Sequence, residues 1–92
     1  MGSSRGERTG QPMTSRDHAR GVWVDLAELF GRDGSAAEGI DLDQPAAGGL
    51  TKWLRTSGGT WVGVVNVVIS MTDGSTMKVK GQLVPARALR PR

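Results

Sequence analysis

Two runs of alternating apolar residues, joined by a short turn, constrain this chain more than anything else in it. Residues 60–71 read TWVGVVNVVISM and residues 75–84 read STMKVKGQLV, with Thr72-Asp73-Gly74 between them. Both runs are rich in β-branched residues and bounded by turn formers, the pattern of an antiparallel hairpin. Loop length then decides which face is buried, because a one-residue slip turns every side chain over. A two-residue Asp73-Gly74 loop would set Ile69 against Lys78 and Val67 against Lys80. A three-residue Thr72-Asp73-Gly74 loop pairs Met71 with Ser75, Ile69 with Met77, Val67 with Val79, Val65 with Gly81 and Gly63 with Leu83. The opposite face then pairs Ser70 with Thr76, Val68 with Lys78, Asn66 with Lys80 and Val64 with Gln82. The three-residue loop is preferred, since it keeps one face almost wholly apolar and puts Gly74 at the left-handed position of the turn. It predicts Met77, Val79 and Leu83 in the core and Lys78 and Lys80 on an outer basic face.

Upstream, LTKWLRT at 50–56 is a further candidate strand and SGG at 57–59 its turn. RTSGGT at 55–60 lacks the Lys-Ser/Thr and helix of a phosphate-binding loop, so it reads as a hairpin turn. Residues 44–49, QPAAGG, read as a connector. Val22, Leu26, Leu29 and Phe30 fall on one helical face, joined by Trp23, and Gly31 stands where a C-cap belongs. This favours a helix over about 22–30, although GVWVDL also alternates like a short strand. Glu28 and Arg32 have pairing distance on the wet face of such a helix. Thr14 with Asp17, and Ser35 with Glu38, have capping-box spacing, the second pair predicting a single helical turn. Residues 1–13 read as a disordered polar segment ahead of one small domain at 14–92, with an acidic loop at 31–49 and antiparallel strands over 50–92. The opening MGSS has the look of a cloning leader, and Met13 is an alternative natural start.

The expected class is therefore α+β or mainly β: a small barrel or curled antiparallel sheet of three to five strands with one N-terminal helix. Residues 50–92 resemble the last three strands of an SH3-like small β-barrel, on WVGVV, the following Asp-Gly turn and the closing LVPARALRP. In such barrels a short helical turn precedes the last strand, with a pattern like VPA-x-x-L. Val84, Pro85, Ala86 and Leu89 match it. The VPA-x-x-LRP ending also resembles that of small uncharacterised bacterial proteins. These resemblances imply a fold and no activity, and the tail at Arg90-Pro91-Arg92 reads as a frayed basic end.

Several chemistries are excluded or disfavoured. The 92 residues include no cysteine, which removes disulfides, thiol catalysis and cysteine-bound metals. His18 is the single histidine, read as an exposed residue with no triad partners. Asp33, Asp41 and Asp43 lack the spacing of a calcium loop. The carboxylate pairs Asp25 with Glu28 and Asp41 with Asp43 fall on a predicted wet face and a loop, not in the cleft that a catalytic pair needs. The expectation is a non-enzyme with no metal and no cofactor. The sequence has no run of eighteen apolar residues and no hydrophobic leader, so it predicts a cytoplasmic protein without a membrane span.

Charge is distributed unevenly. Residues 21–43 carry a net −5, residues 44–92 a net +6, and residues 1–20 a net +2, for +3 in all. A basic half steers toward anionic partners. Lys78 and Lys80, with Arg55 and Arg87, could follow a phosphate backbone. Trp53 and Trp61, where exposed, would anchor a protein partner. The candidate interaction residues are thus Trp53, Trp61, Lys78, Lys80, Arg55 and Arg87. The preferred reading is a non-catalytic accessory or adaptor module with a protein partner. The alternative is a basic nucleic-acid-binding accessory protein using the Lys/Arg face of the C-terminal sheet. A homodimer through an uncovered sheet edge also stays open.

Overall fold

The computed structural model describes residues 19–92. The expected disorder of residues 1–13, the alternative start at Met13, the Thr14–Asp17 cap and His18 lie outside the described residues. Strand β1 spans Arg20–Val24, helix α1 Leu26–Phe30, β2 Ala46–Arg55, β3 Trp61–Ser70 and β4 Thr76–Pro85. A 3-10 turn at Ala86–Ala88 then leads into β5, Leu89–Pro91. The five strands form one antiparallel sheet in the order β4-β3-β2-β1-β5.

The helix expected from residue 22 begins only at Leu26, because Val22 and Val24 are strand residues. Both are β-branched, and both point into the core while Gly21 and Trp23 point out, so the period of two prevails over the helical one. Trp23 consequently leaves the apolar face and stacks outside against Arg92, whose guanidinium carbon lies 5.6 Å from the ring centroid. Asp25 ends the strand and caps the helix, its carboxylate accepting from the Glu28 amide at 3.0 Å. Gly31 closes the helix where a cap is expected, at a positive φ of 83° but with an extended ψ of 171° rather than the left-handed helical one, its amide donating to the Ala27 carbonyl at 2.8 Å. Glu28 and Arg32 do not pair with each other. Glu28 accepts from Arg87 at 2.8 Å and Arg32 donates to Asp43 at 3.0 Å. Ser35–Glu38 forms no helical turn, and Ala46–Gly49 belongs to β2 rather than to a connector.

The β3–β4 hairpin has the three-residue loop. Met71 donates its amide to Ser75 at 2.8 Å, and Gly74 donates back to Met71 at 3.0 Å. Ile69 pairs with Met77, Val68 with Lys78 and Val67 with Val79, as the apolar-face argument requires. Beyond Val67 the register shifts by one residue, so that Val65 faces Gln82, Val64 faces Leu83 and Gly63 faces Val84. The extra residue sits at Lys80-Gly81, opposite Asn66. Gly81 has a φ of 71°, and its amide donates to the Asn66 side-chain oxygen at 2.9 Å. This β-bulge re-aims the rest of the strand. Leu83, expected in the core, is 53% exposed, and Val84 takes its place with no exposed surface. Met77 keeps the expected pairing with Ile69 yet is 49% exposed rather than buried in the core.

The core is small: Val22, Val24, Leu26, Ala46, Leu50, Val65, Val67, Ile69, Val84 and Ala88, with Leu29, Leu42, Val79 and Leu89 packed against it. Helix α1 and the 3-10 turn hold each other over this core, through the Asp25 amide on the Ala88 carbonyl at 2.8 Å and the Arg87–Glu28 pair. The C-terminus is fixed rather than frayed. β5 pairs with β1, the Arg92 amide donates to Gly21 at 3.1 Å, and the Arg92 guanidinium donates to Gly48 at 3.2 Å.

Candidate interaction site

A second bulge creates the site. Along β2, Ala46, Gly48 and Leu50 face the core, so strict alternation would send Lys52 inward and Trp53 outward. Thr51 is the extra residue, with Leu50 opposite Val65 but Lys52 opposite Val64. Its hydroxyl donates to the Val64 carbonyl at 3.1 Å. The shift sends Lys52 out and brings Trp53 onto the core side, opposite Gly63. Two residues before Gly63 on β3, Trp61 projects from the same face, opposite Arg55.

Gly63 makes room for this arrangement. A Cβ there would lie 2.7 Å from a Leu50 methyl, 2.8 Å from a Leu89 methyl and 3.6 Å from the Trp53 ring. The two indoles therefore stand on either side of a bare stretch of backbone, beyond the end of the core. Trp53 is 43% exposed and Trp61 47% exposed. With Ala86 of the 3-10 turn they line an open apolar cleft of about 390 Å³.

Cations surround the cleft. Arg55 lies over Trp61, its guanidinium carbon 4.8 Å from the ring centroid, and its Nε donates to the Gly59 carbonyl at 3.3 Å. That bond ties Arg55 to the Thr56–Thr60 turn, which closes on itself through the Thr56 amide to Thr60 and the Gly59 amide to Thr56, each at 2.9 Å. Beside Trp53, Arg20 and Lys52 join Leu50 and Thr51 around a smaller depression of about 220 Å³. Arg87 follows Ala86 in the 3-10 turn, but its guanidinium is engaged by Glu28.

The sequence-predicted residues thus divide between two faces. Trp53, Trp61 and Arg55 converge, with Arg87 next to them. Lys78 and Lys80 lie on the outer face of β4, beside Val68 and Asn66, away from the tryptophan cleft. Ala86 and Arg20 belong to the cleft region and were not singled out from sequence. Ala86 carries no chemical signal, and Arg20 is brought in only by the β1–β2 pairing, which places it opposite Leu50.

The acidic groups lie toward the opposite end of the sheet. The 31–45 loop is docked on the β3–β4 turn by Asp41 to Ser70 at 2.9 Å and Thr72 to Gly39 at 2.8 Å, with Ile40 bridging Met71. Asp73 accepts from the Ser75 hydroxyl at 2.6 Å and the Ser75 amide at 2.8 Å. These two bonds favour the carboxylate and hold its pKa below the usual range. Among the described residues no group of three or more His, Cys, Asp or Glu could hold a metal ion. No helix among them is long and apolar enough to cross a membrane.

Compared with protein-family models, curated proteins and solved structures, the chain matches none.

Proposed function

We propose that this chain is a non-catalytic interaction module that seats a protein partner on the Trp53–Trp61 cleft. The observation that carries this reading is that two half-exposed indoles, Trp53 and Trp61, are brought together on one apolar cleft. Tryptophan and arginine are the residue types most often found as binding anchors. The SH3-like reading of the fold belongs to the same proposal. It is supported by the strand order and by the 3-10 turn directly before the last strand, which together suit a curled sheet closing toward a barrel.

The strength of such a site is limited. Covering the open half of two indoles removes roughly 200 Å² of apolar surface, about 5 kcal/mol at 25 cal/mol per Å². Association costs of about 4–15 kcal/mol offset most or all of that. A partner must therefore also engage the surrounding cations to bind with useful affinity. Trp53→Ala and Trp61→Ala should abolish partner binding while leaving the circular dichroism spectrum unchanged and unfolding cooperative. Unfolding of both variants would show that the indoles serve the core and would remove the reading.

The nucleic-acid alternative keeps one favourable observation, the alternation of Lys78 and Lys80 on an exposed strand. It is weakened by the placement of both indoles on the other face, where they cannot stack bases along the lysine track. Mobility of DNA and RNA across a salt series checks it, and absence of a shift at low salt removes it.

A further inference from the structure

We infer that the partner segment is an extended acidic peptide, one apolar side chain of which enters between Trp53 and Trp61 while flanking carboxylates reach Arg55 on one side and Arg20 and Lys52 on the other. The inference rests on the reading of the cleft as the partner site and adds the chemistry of what fills it. Charge complementarity carries it. The cleft itself is lined by Trp53, Trp61 and Ala86; Arg55 stacks on Trp61, and Arg20 and Lys52 line a neighbouring depression that shares Trp53 with it. Glu28, the acid tied to this end, is already satisfied by Arg87, and Asp25 by the helix cap. The other acids of the described chain sit on the 31–45 loop and the β3–β4 turn, at the far end of the strands. A negatively charged segment is therefore drawn toward the tryptophan end and away from the other.

Arg55 is also held in place before any partner arrives, stacked on Trp61 and bonded to Gly59. A guanidinium fixed in this way loses little freedom on meeting a carboxylate and presents two parallel donors to it. The same stacking argues for a peptide over a nucleic acid. One face of the Trp61 ring is taken by Arg55, and Ala86 lines the cleft beside the indoles, so the site suits a compact aliphatic side chain better than a flat base.

The test is titration of the full chain, followed by NMR at the indole N–H signals. Three capped peptides are used, each with a central leucine flanked by glutamates, by serines or by lysines, together with a short oligothymidylate. The glutamate peptide should shift the Trp53 and Trp61 signals and leave that of Trp23 in place, and its affinity should fall as salt is raised. Arg20→Gln and Lys52→Gln, neither of which touches the Arg55–Trp61 stack, should each weaken it about two- to fivefold, the scale of an exposed ion pair. Trp61→Ala should remove the shifts. Equal binding of the serine peptide would overturn the acidic partner and leave the cleft reading standing. Shifts with oligothymidylate alone would overturn the peptide class. If no probe moves either signal, both the inference and the cleft reading fail.

Discussion

The two ends of the sheet are built on opposite principles. At the turn end, β3 and β4 pair in straight register, the 31–45 loop is tied down by backbone hydrogen bonds and by the Thr72 hydroxyl, which accepts from the Gly39 amide, and Asp73 spends its side chain on the turn itself. At the tryptophan end, both neighbours of β3 carry a bulge, one at Thr51 and one at Lys80-Gly81. Each bulge reverses which residues face the core. The result is a closed, acidic, internally satisfied end and an open, basic one with two indoles uncovered. Local polar satisfaction yields structure at one end, and local irregularity yields a surface at the other. Bulges are common where a sheet must re-aim a side chain, which fits the second end.

Substitutions that separate a straight strand from a bulged one should break this contrast first. Val84→Ala should cost about 2 kcal/mol, as loss of a fully buried side chain does, whereas Leu83→Ala should stay within about 0.5 kcal/mol. Urea unfolding of the two variants checks the order, and a straight register would reverse it. Gly63→Ala adds a methyl closer than 3.0 Å to Leu50 and Leu89, and should cost about 1–3 kcal/mol while shifting the Trp53 emission. Gly81→Ala must hold a left-handed φ, costing about 1–2 kcal/mol, with no effect expected on the turn-end amides in hydrogen exchange. Trp53→Ala and Trp61→Ala should each destabilise by less than the roughly 3–5 kcal/mol of a core tryptophan.

The smallest effect belongs to the turn end. Asp73 has a lowered pKa in the fold, so its contribution to stability is complete above its unfolded value of 3.8 and is lost as pH falls through the folded value. Stability between pH 5 and pH 7 should therefore not depend on this group, to the extent that wild type and Asp73→Asn run parallel there. They should converge only below about pH 4. Because Asp73 is fully exposed, the difference is expected to be slight, and thermal unfolding along a pH series would measure it.

What was legible in the sequence follows the same division. The turn end could be read because a three-residue loop, a left-handed Gly74 and an apolar face all demanded one register. The pairings from Ser70–Thr76 to Val67–Val79 follow from that reasoning. The tryptophan end could not be read, since a bulge is a single extra residue that leaves the alternation of the strand intact on either side. Gly81 next to Lys80 was a signal in principle, because glycine within a strand marks bulges. Thr51 gave none, as threonine is an ordinary strand residue. Residues 22–24 show a third case: the helical spacing of Val22, Leu26 and Phe30 was real, but two β-branched valines beside an Asp cap settle as a strand followed by a helix. Glu28 and Arg32, expected to pair with each other, went instead to Arg87 and Asp43, which local spacing does not reveal.

The central claim is that two indoles, Trp53 placed by the Thr51 bulge and Trp61 beside it, stand open next to Arg55 and Arg20, and fluorescence quenching tests it most directly. In Trp23→Phe protein only Trp53 and Trp61 emit. Both should be readily quenched, and iodide, drawn by Arg55 and Arg20, should quench more strongly than caesium, with the difference shrinking as salt is added. Weak quenching by both ions, with the blue-shifted emission of enclosed indoles, would place the tryptophans in the core and contradict the account.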